Sequence, residues 1–106
     1  MEFINKAEIC GIIGTVRIQT VGDTKVAQMS VATDKIMKGK EGDIIQTTWH
    51  NVTAWQNHCE GDIEKLGKGD RLHIFGEIAD RTYCDMNGNE RHFTTIMANR
   101  IVKIEE

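Results

Sequence analysis

The sequence predicts a small all-β protein, a five-stranded Greek-key barrel with one short helix between strands 3 and 4. Two observations carry this: five stretches of alternating or continuous apolar character separated by glycine-bearing turns, and one segment of helical spacing, between the third and fourth of them. A third is the placement of Gly11 and Gly14 inside the first apolar stretch, where a closing barrel needs bends or bulges.

The first strand, Ala7 to Ile18, has Ile9, Cys10, Ile12, Ile13, Val16 and Ile18 on both parities, which predicts burial on both sides. Gln19 to Thr24, with Gly22 and Asp23, reads as a turn. Lys25 to Thr33 follows as a half-buried strand, with Ala27, Met29 and Val31 on one face. Asp34 to Asp43, charged and glycine-containing, reads as a projecting irregular loop that exposes Ile36 and Met37. Ile44 to Trp55 is the third strand. From Gln56 to Leu66, the spacing of Cys59, Ile63 and Leu66 predicts a short helix with Asn57 as cap and Gly67 as stop.

Lys68, Gly69 and Asp70 turn the chain into a fourth strand, Arg71 to Ile78, where Leu72, Ile74 and Ile78 alternate with Arg71, His73, Phe75 and Glu77. The segment Ala79 to His92 centres on Asn87-Gly88, a pair suited to a tight hairpin because both residues tolerate positive φ. Phe93 to Ile104 completes the set, with Ile96 and Ala98 on one side and Phe93, Met97 and Ile101 on the other. This order is that of an OB-fold, with the helix plugging one barrel end. Such barrels serve oligonucleotides, saccharides and proteins, so function must come from the surface.

That surface is announced by Thr47 to Gln56, TTWHNVTAWQ. Strand alternation puts Trp49, Asn51, Thr53 and Trp55 on one face and His50, Val52 and Ala54 on the other. A core face would gather the apolar residues together, yet both tryptophans share their side with an amide and a hydroxyl. The two rings lie roughly 20 Å apart along the strand, a spacing for successive nucleotides and not for one clamped base. Flat aromatics on a sheet suit unstacked bases, each stack contributing about 1 to 3 kcal/mol without demanding a sequence.

Bulk properties narrow the field. The chain has 106 residues, 40% hydrophobic and 27% charged, which fits one globular domain over residues 1–106. The start MEFINKAEICGIIG lacks a basic segment followed by a long apolar run, so a cytoplasmic protein is expected. Cys10, Cys59 and Cys84 are odd in number and far apart, which predicts reduced thiols, no disulfide framework and no metal. The four histidines show no paired ligand spacing. No phosphate-cradling glycine loop, nucleophile elbow or paired metal ligands occur, so neither an enzyme nor a cofactor is expected. The net charge of -3 argues against uniform coating by phosphate, so positive charge must act locally. Lys35, Lys38 and Lys40 cluster in one predicted loop, and Arg81 and Arg91 flank the other.

Six blocks in order carry a resemblance: Asn5-Lys6 with Cys10-Gly11; Val26-Ala27 with Ser30-Val31-Ala32-Thr33; Thr48-Trp49-His50-Asn51-Val52; Leu66-Gly67-Lys68-Gly69-Asp70; Ile74-Phe75-Gly76-Glu77-Ile78; and Asp85 through Arg91 with Thr94-Thr95. Across nearly its whole length the chain resembles the bacterial single-stranded-DNA-binding protein family. The resemblance implies a homo-oligomer of OB-folds, a tetramer or at least a dimer, that binds single-stranded DNA by stacking and phosphate contact in replication, repair or recombination. It assigns stacking to Trp49, Trp55 and Tyr83, phosphate contact to Lys68, Arg81 and Arg91, and a subunit contact to His50. Lys38 joins the phosphate set from the basic cluster.

The chain also departs from the family pattern. Met37 stands where the family commonly has a further loop tryptophan, and Asn51 where it often has a basic residue. No glycine-rich linker or acidic tip follows Glu106, so tail-mediated recruitment of replication proteins is not expected. Two other readings fit a similar sequence: a tailless primosome-type adaptor, dimeric and touching both DNA and a helicase-loading partner, and a protein-interaction OB module with its aromatics in an interface.

Overall fold

The computed structural model describes residues 1–105 and is a closed five-stranded barrel in the order β1-β2-β3-β5-β4. Its strands are β1 (Ala7–Val21), β2 (Thr24–Gly39), β3 (Gly42–Trp55), β4 (Arg71–Cys84) and β5 (Glu90–Ile104). All neighbours pair antiparallel except β3 and β5, which meet in parallel over Val52–Ala54 and Ile96–Ala98. A three-residue parallel contact is a weak seam. Side chains reinforce it: the buried Thr95 hydroxyl pairs with Thr53 Oγ1 at 3.0 Å and donates to the Asn51 carbonyl at 3.1 Å. Ile13, Val31, Val52, Ile63, Leu72 and Ile74 fill the interior and are essentially inaccessible.

The first strand is not buried on both sides. Its register with β2 slips between Ile13 and Thr15, so Gly14 is an extra residue on the β1 side. A bulge moves every later side chain to the other face. Gly11 and Ile13 point inward before it and Val16 and Ile18 after it, while Ile12 and Cys10 face out. Apolar residues on both parities therefore record one parity switch. The same device acts in β5, where Phe75 pairs with Arg100 but Gly76 with Ala98, leaving Asn99 extra. That switch turns Ile101 into the core beside Ile96 and Ala98, not onto the face of Phe93 and Met97.

Two further segments differ from expectation. Asp34 to Asp43 is a regular hairpin in which Gly39 pairs with Gly42 across Lys40-Glu41. Nothing in its charge prevents pairing, and Gly42 at φ 124° lets the chain reverse. The predicted helix from Gln56 to Leu66 is a single 3-10 turn, Ile63–Lys65, capped by Asp62 and not Asn57. The chain before it is held extended: Glu60 bridges to β5 with hydrogen bonds to Asn99 and Ile101, and Gly61 sits at φ 121° against the Ile101 carbonyl. That φ is far outside the helical region, so the helix does not extend through Gly61, and a side chain there would strike the Ile101 carbonyl. Cys59, Ile63 and Leu66 still seal this barrel end, as their spacing predicted. Burial raises the Cys59 thiol pKa, with Glu60 adding to the effect.

Candidate nucleic-acid interface

Alternation along β3 has the expected sense. Val52 and Ala54 are in the core, and Asn51, Thr53 and the two tryptophans are on the outer wall. Trp49 is 60% exposed. Its ring lies across β2 towards the β1 bulge, so a Cβ at Gly14 would fall 2.4 Å from Cζ3 and 2.7 Å from Cη2. The indole rests on this glycine, and a side chain there would displace it. One edge is thereby seated and the rest of the ring faces solvent. Trp55 is half-buried and lines a cavity of about 390 Å³ with His58, Glu77, Arg81 and Met97.

The hairpin of β4 and β5 projects beyond the barrel as an arm. Register pairs Arg81 with Phe93 and Tyr83 with Arg91, which places all four side chains on one face of the arm. That face looks towards β3: Tyr83 and Phe93 bound a second cavity, about 310 Å³, with Gln28, Asn51 and Thr53 of the barrel wall. The two cavities adjoin through Thr53 and Met97, which are cross-strand partners. They form one trough along β3, closed on its far side by the arm. Tyr83 and Phe93 meet edge to face, centroids 5.9 Å apart. The sequence reading missed Phe93, whose parity with Tyr83 across the hairpin was the signal for it.

The arm's turn differs slightly from a pair of positive-φ residues. Only Gly88, at φ 79°, is left-handed. Asp85 accepts N–H bonds from Gly88 on its carbonyl and from Asn87 and Asn89 on Oδ1, while its Oδ2 takes the Arg91 Nε at 3.1 Å. The Asn89 amide does most to lower the Asp85 carboxyl pKa; desolvation opposes it, and the Arg91 and Asn87 hydrogen bonds add to the lowering.

The basic residues are spread along this path. Arg81 reaches Met97 Sδ at 3.4 Å within the trough, and Arg91 is tethered to Asp85 at its end. Lys68 stands on the turn whose Gly69 N–H bonds the Ile13 carbonyl, one residue from the glycine beneath Trp49. Lys38 is near the tip of the β2-β3 arm. Cross-strand pairing there sets Ala32 with Trp49, Asp34 with Thr47, Ile36 with Ile45 and Lys38 with Asp43. Trp49, Ile36, Ile45 and Lys38 thus share one face, and Met37 with Ile44 takes the reverse. Met37 does not extend the tryptophan face; the Ile36 and Ile45 pair does.

His50 points the other way. It is half-buried, its Nε2 is 2.8 Å from Thr33 Oγ1, and it borders a cavity of about 520 Å³ at the barrel end away from the 3-10 turn, with Ile9, Ile78 and Ile96, and with Trp49, Asn51, Lys6 and Glu8 also on its lining. Asn5 folds the leading segment against this end through paired bonds to the Ile78 N–H and carbonyl. Among the described residues no group of His, Cys, Asp or Glu could hold a metal ion, and no helix is long and apolar enough to cross a membrane.

A closed OB barrel with exposed aromatics on β3 and a basic, aromatic hairpin beside it defines the oligonucleotide-binding class of this fold. Comparison with known proteins narrows the class. Residues 4–104 match the family described as the single-strand binding protein family, and the chain belongs to that family. It is 31% identical to the mitochondrial single-stranded DNA-binding protein of Danio rerio over 97% of this chain and 77% of that protein. It is also 31% identical to single-stranded DNA-binding protein 1 of Xylella fastidiosa (strain 9a5c) over 95% and 77%. Among solved structures, the Plasmodium falciparum SSB in complex with ssDNA superposes with a TM-score of 0.79 at 21% identity, covering 99% of this chain and 98% of that one.

Proposed function

We propose that this protein binds single-stranded DNA without regard to sequence and acts by occupancy, with no chemistry of its own. Family membership supports this, and one observation carries the mechanism: a row of outward side chains on β3, ending in Trp49 and Trp55, lies beside an arm that faces it with Tyr83. Bases stack on Trp49, Trp55 and Tyr83 in turn, while Lys38, Lys68, Arg81 and Arg91 neutralise phosphates. Such a coat keeps strands unpaired during replication, repair or recombination in the cytoplasm.

The working unit of this reading is a homotetramer. The support is the exposed apolar side chain of Ile78 at the His50 cavity, on the side away from Trp49, together with Ile12 and Val102 exposed on the outer sheet. A partner copy would cover both. Titration with oligo-dT tests the binding: tryptophan fluorescence is expected to be quenched, and an unchanged signal at low salt rejects DNA at these rings. Solution mass tests the assembly, where a monomer or dimer would overturn the tetramer.

A further inference from the structure

The cavity beneath the arm is built from two unlike walls. Tyr83 and Phe93 make one side aromatic. The other carries amides. Gln28 is exposed, and its amide has no protein partner among the described residues. Asn51 spends one N–H on the Thr94 carbonyl at a long 3.4 Å, which leaves its Oδ1 open. The hydroxyls of Thr53 and Thr95 are already bonded to each other, so they form a floor and read nothing. No basic side chain lines this cavity, which disfavours a phosphate there. At about 310 Å³ it is at the small end of ligand sites, room for one planar ring system.

We infer that this cavity receives one splayed nucleobase, stacked on one ring of the edge-to-face Tyr83 and Phe93 pair with the other ring against its edge, and with its Watson–Crick edge hydrogen-bonded by Gln28 and supported by Asn51. The inference rests on the single-strand reading above and adds a contact to it. An amide carries a donor and an acceptor side by side and turns over by rotation of its last torsion. It therefore matches the N3–H and O4 of thymine and, reversed, the N4–H and N3 of cytosine. The contact reads that an edge is unpaired, not which base owns it. A duplex occupies the same edge, so Gln28 contributes to preference for single strands while leaving sequence unread.

The test compares a short thymidine strand with the same strand built from the difluorotoluene nucleoside, which keeps thymine's shape and stacking but has lost its hydrogen-bonding edge. Wild type is expected to favour the thymidine strand, and Gln28→Ala to shrink that preference about fivefold, the value of one hydrogen bond. Gln28 is exposed, and an unchanged melting temperature shows that the variant folds. Phe93→Ala is expected to weaken both strands alike. An equal preference in wild type and Gln28→Ala overturns the inference. Failure of the thymidine strand to quench tryptophan fluorescence in wild type is a different outcome, and overturns the single-strand reading itself.

Discussion

The barrel carries two hairpin arms, and they are prepared for a ligand to different degrees. The β4-β5 arm presents Tyr83 and Phe93 in mutual contact, and its turn is fastened by Asp85 to two backbone amides and to Arg91. The β2-β3 arm also exposes apolar side chains, Ile36 and Ile45 on one face and Met37 and Ile44 on the other. Among the described residues its side-chain ties stop at its base, with Thr47 donating to Asp34 at 2.7 Å. Similar exposed apolar surface thus comes with unequal order. Ordering side chains and loops on binding costs about 0.5 to 1.5 kcal/mol for each flexible side chain immobilised, so the fastened arm is the better anchor. Aromatic faces widen the gap, since an isoleucine has no ring to offer a base.

The sharpest way to break this contrast is to remove the apolar surface of each arm in turn. Tyr83→Ala is expected to weaken oligo-dT binding by about 1 to 3 kcal/mol, the value of one stack. The double variant Ile36→Ala with Ile45→Ala is expected to lose less than about 1 kcal/mol. Fluorescence titration at fixed salt measures both, and a larger loss in the aliphatic pair would reverse the ranking of the arms.

What was legible in the chain follows from what local pattern records. The outward row of β3 was readable because Trp49 to Trp55 contains no bulge, so simple alternation held across it. β1 and β5 were misread for the opposite reason. One extra residue at Gly14 and at Asn99 switches parity, and a sequence shows the mixed result without the register that resolves it. The 3-10 turn was overcalled as a helix because Cys59, Ile63 and Leu66 do seal the barrel. Their inward side chains were legible, while the bridge from Glu60 to β5 that keeps the backbone extended is a long-range contact. Phe93 went unassigned until pairing placed it beside Tyr83.

Trp49 sits at the root of the aliphatic arm, and a glycine exchange probes how it is seated. Gly14→Ala is expected to lift the indole off β1, shift its emission and cost up to about 1 to 3 kcal/mol of DNA affinity, because the colliding atoms belong to a side chain that can move. Gly76→Ala is the contrasting exchange. Its Cβ would meet the Met97 carbonyl at 2.2 Å, and backbone cannot swing aside, so loss of thermal stability is expected there.

Salt separates the arms by charge. Each phosphate neutralised on a single strand contributes about 0.7 to the slope of log affinity against log salt. Lys38 has no ion-pair partner among the described residues, whereas the Arg91 charge is partly met by Asp85. Lys38→Ala is therefore expected to flatten the slope by about 0.7, and Arg91→Ala by less. Equal flattening would show that Asp85 releases Arg91 to the phosphate.

The smallest effect concerns the fastening itself. Asp85 has its folded-state pKa lowered, chiefly by the Asn89 amide, so its contribution to the turn is in place above the unfolded carboxylate value and is lost as pH falls through the lower folded one. At neutral pH the arm is held. Protonation removes the charge that retains Arg91 and weakens the acceptor for Asn87 and Asn89. Amide exchange at Asn87 and Asn89, referred to the amides of Lys40 and Glu41 in the other arm, is expected to accelerate only below the usual carboxylate range. Asp85→Ala should show that fast exchange at every pH, with no change at Lys40 and Glu41. If wild type and Asp85→Ala exchange alike at neutral pH, the carboxylate does not fasten the turn, and the greater order of the aromatic arm has to come from its ring contacts alone.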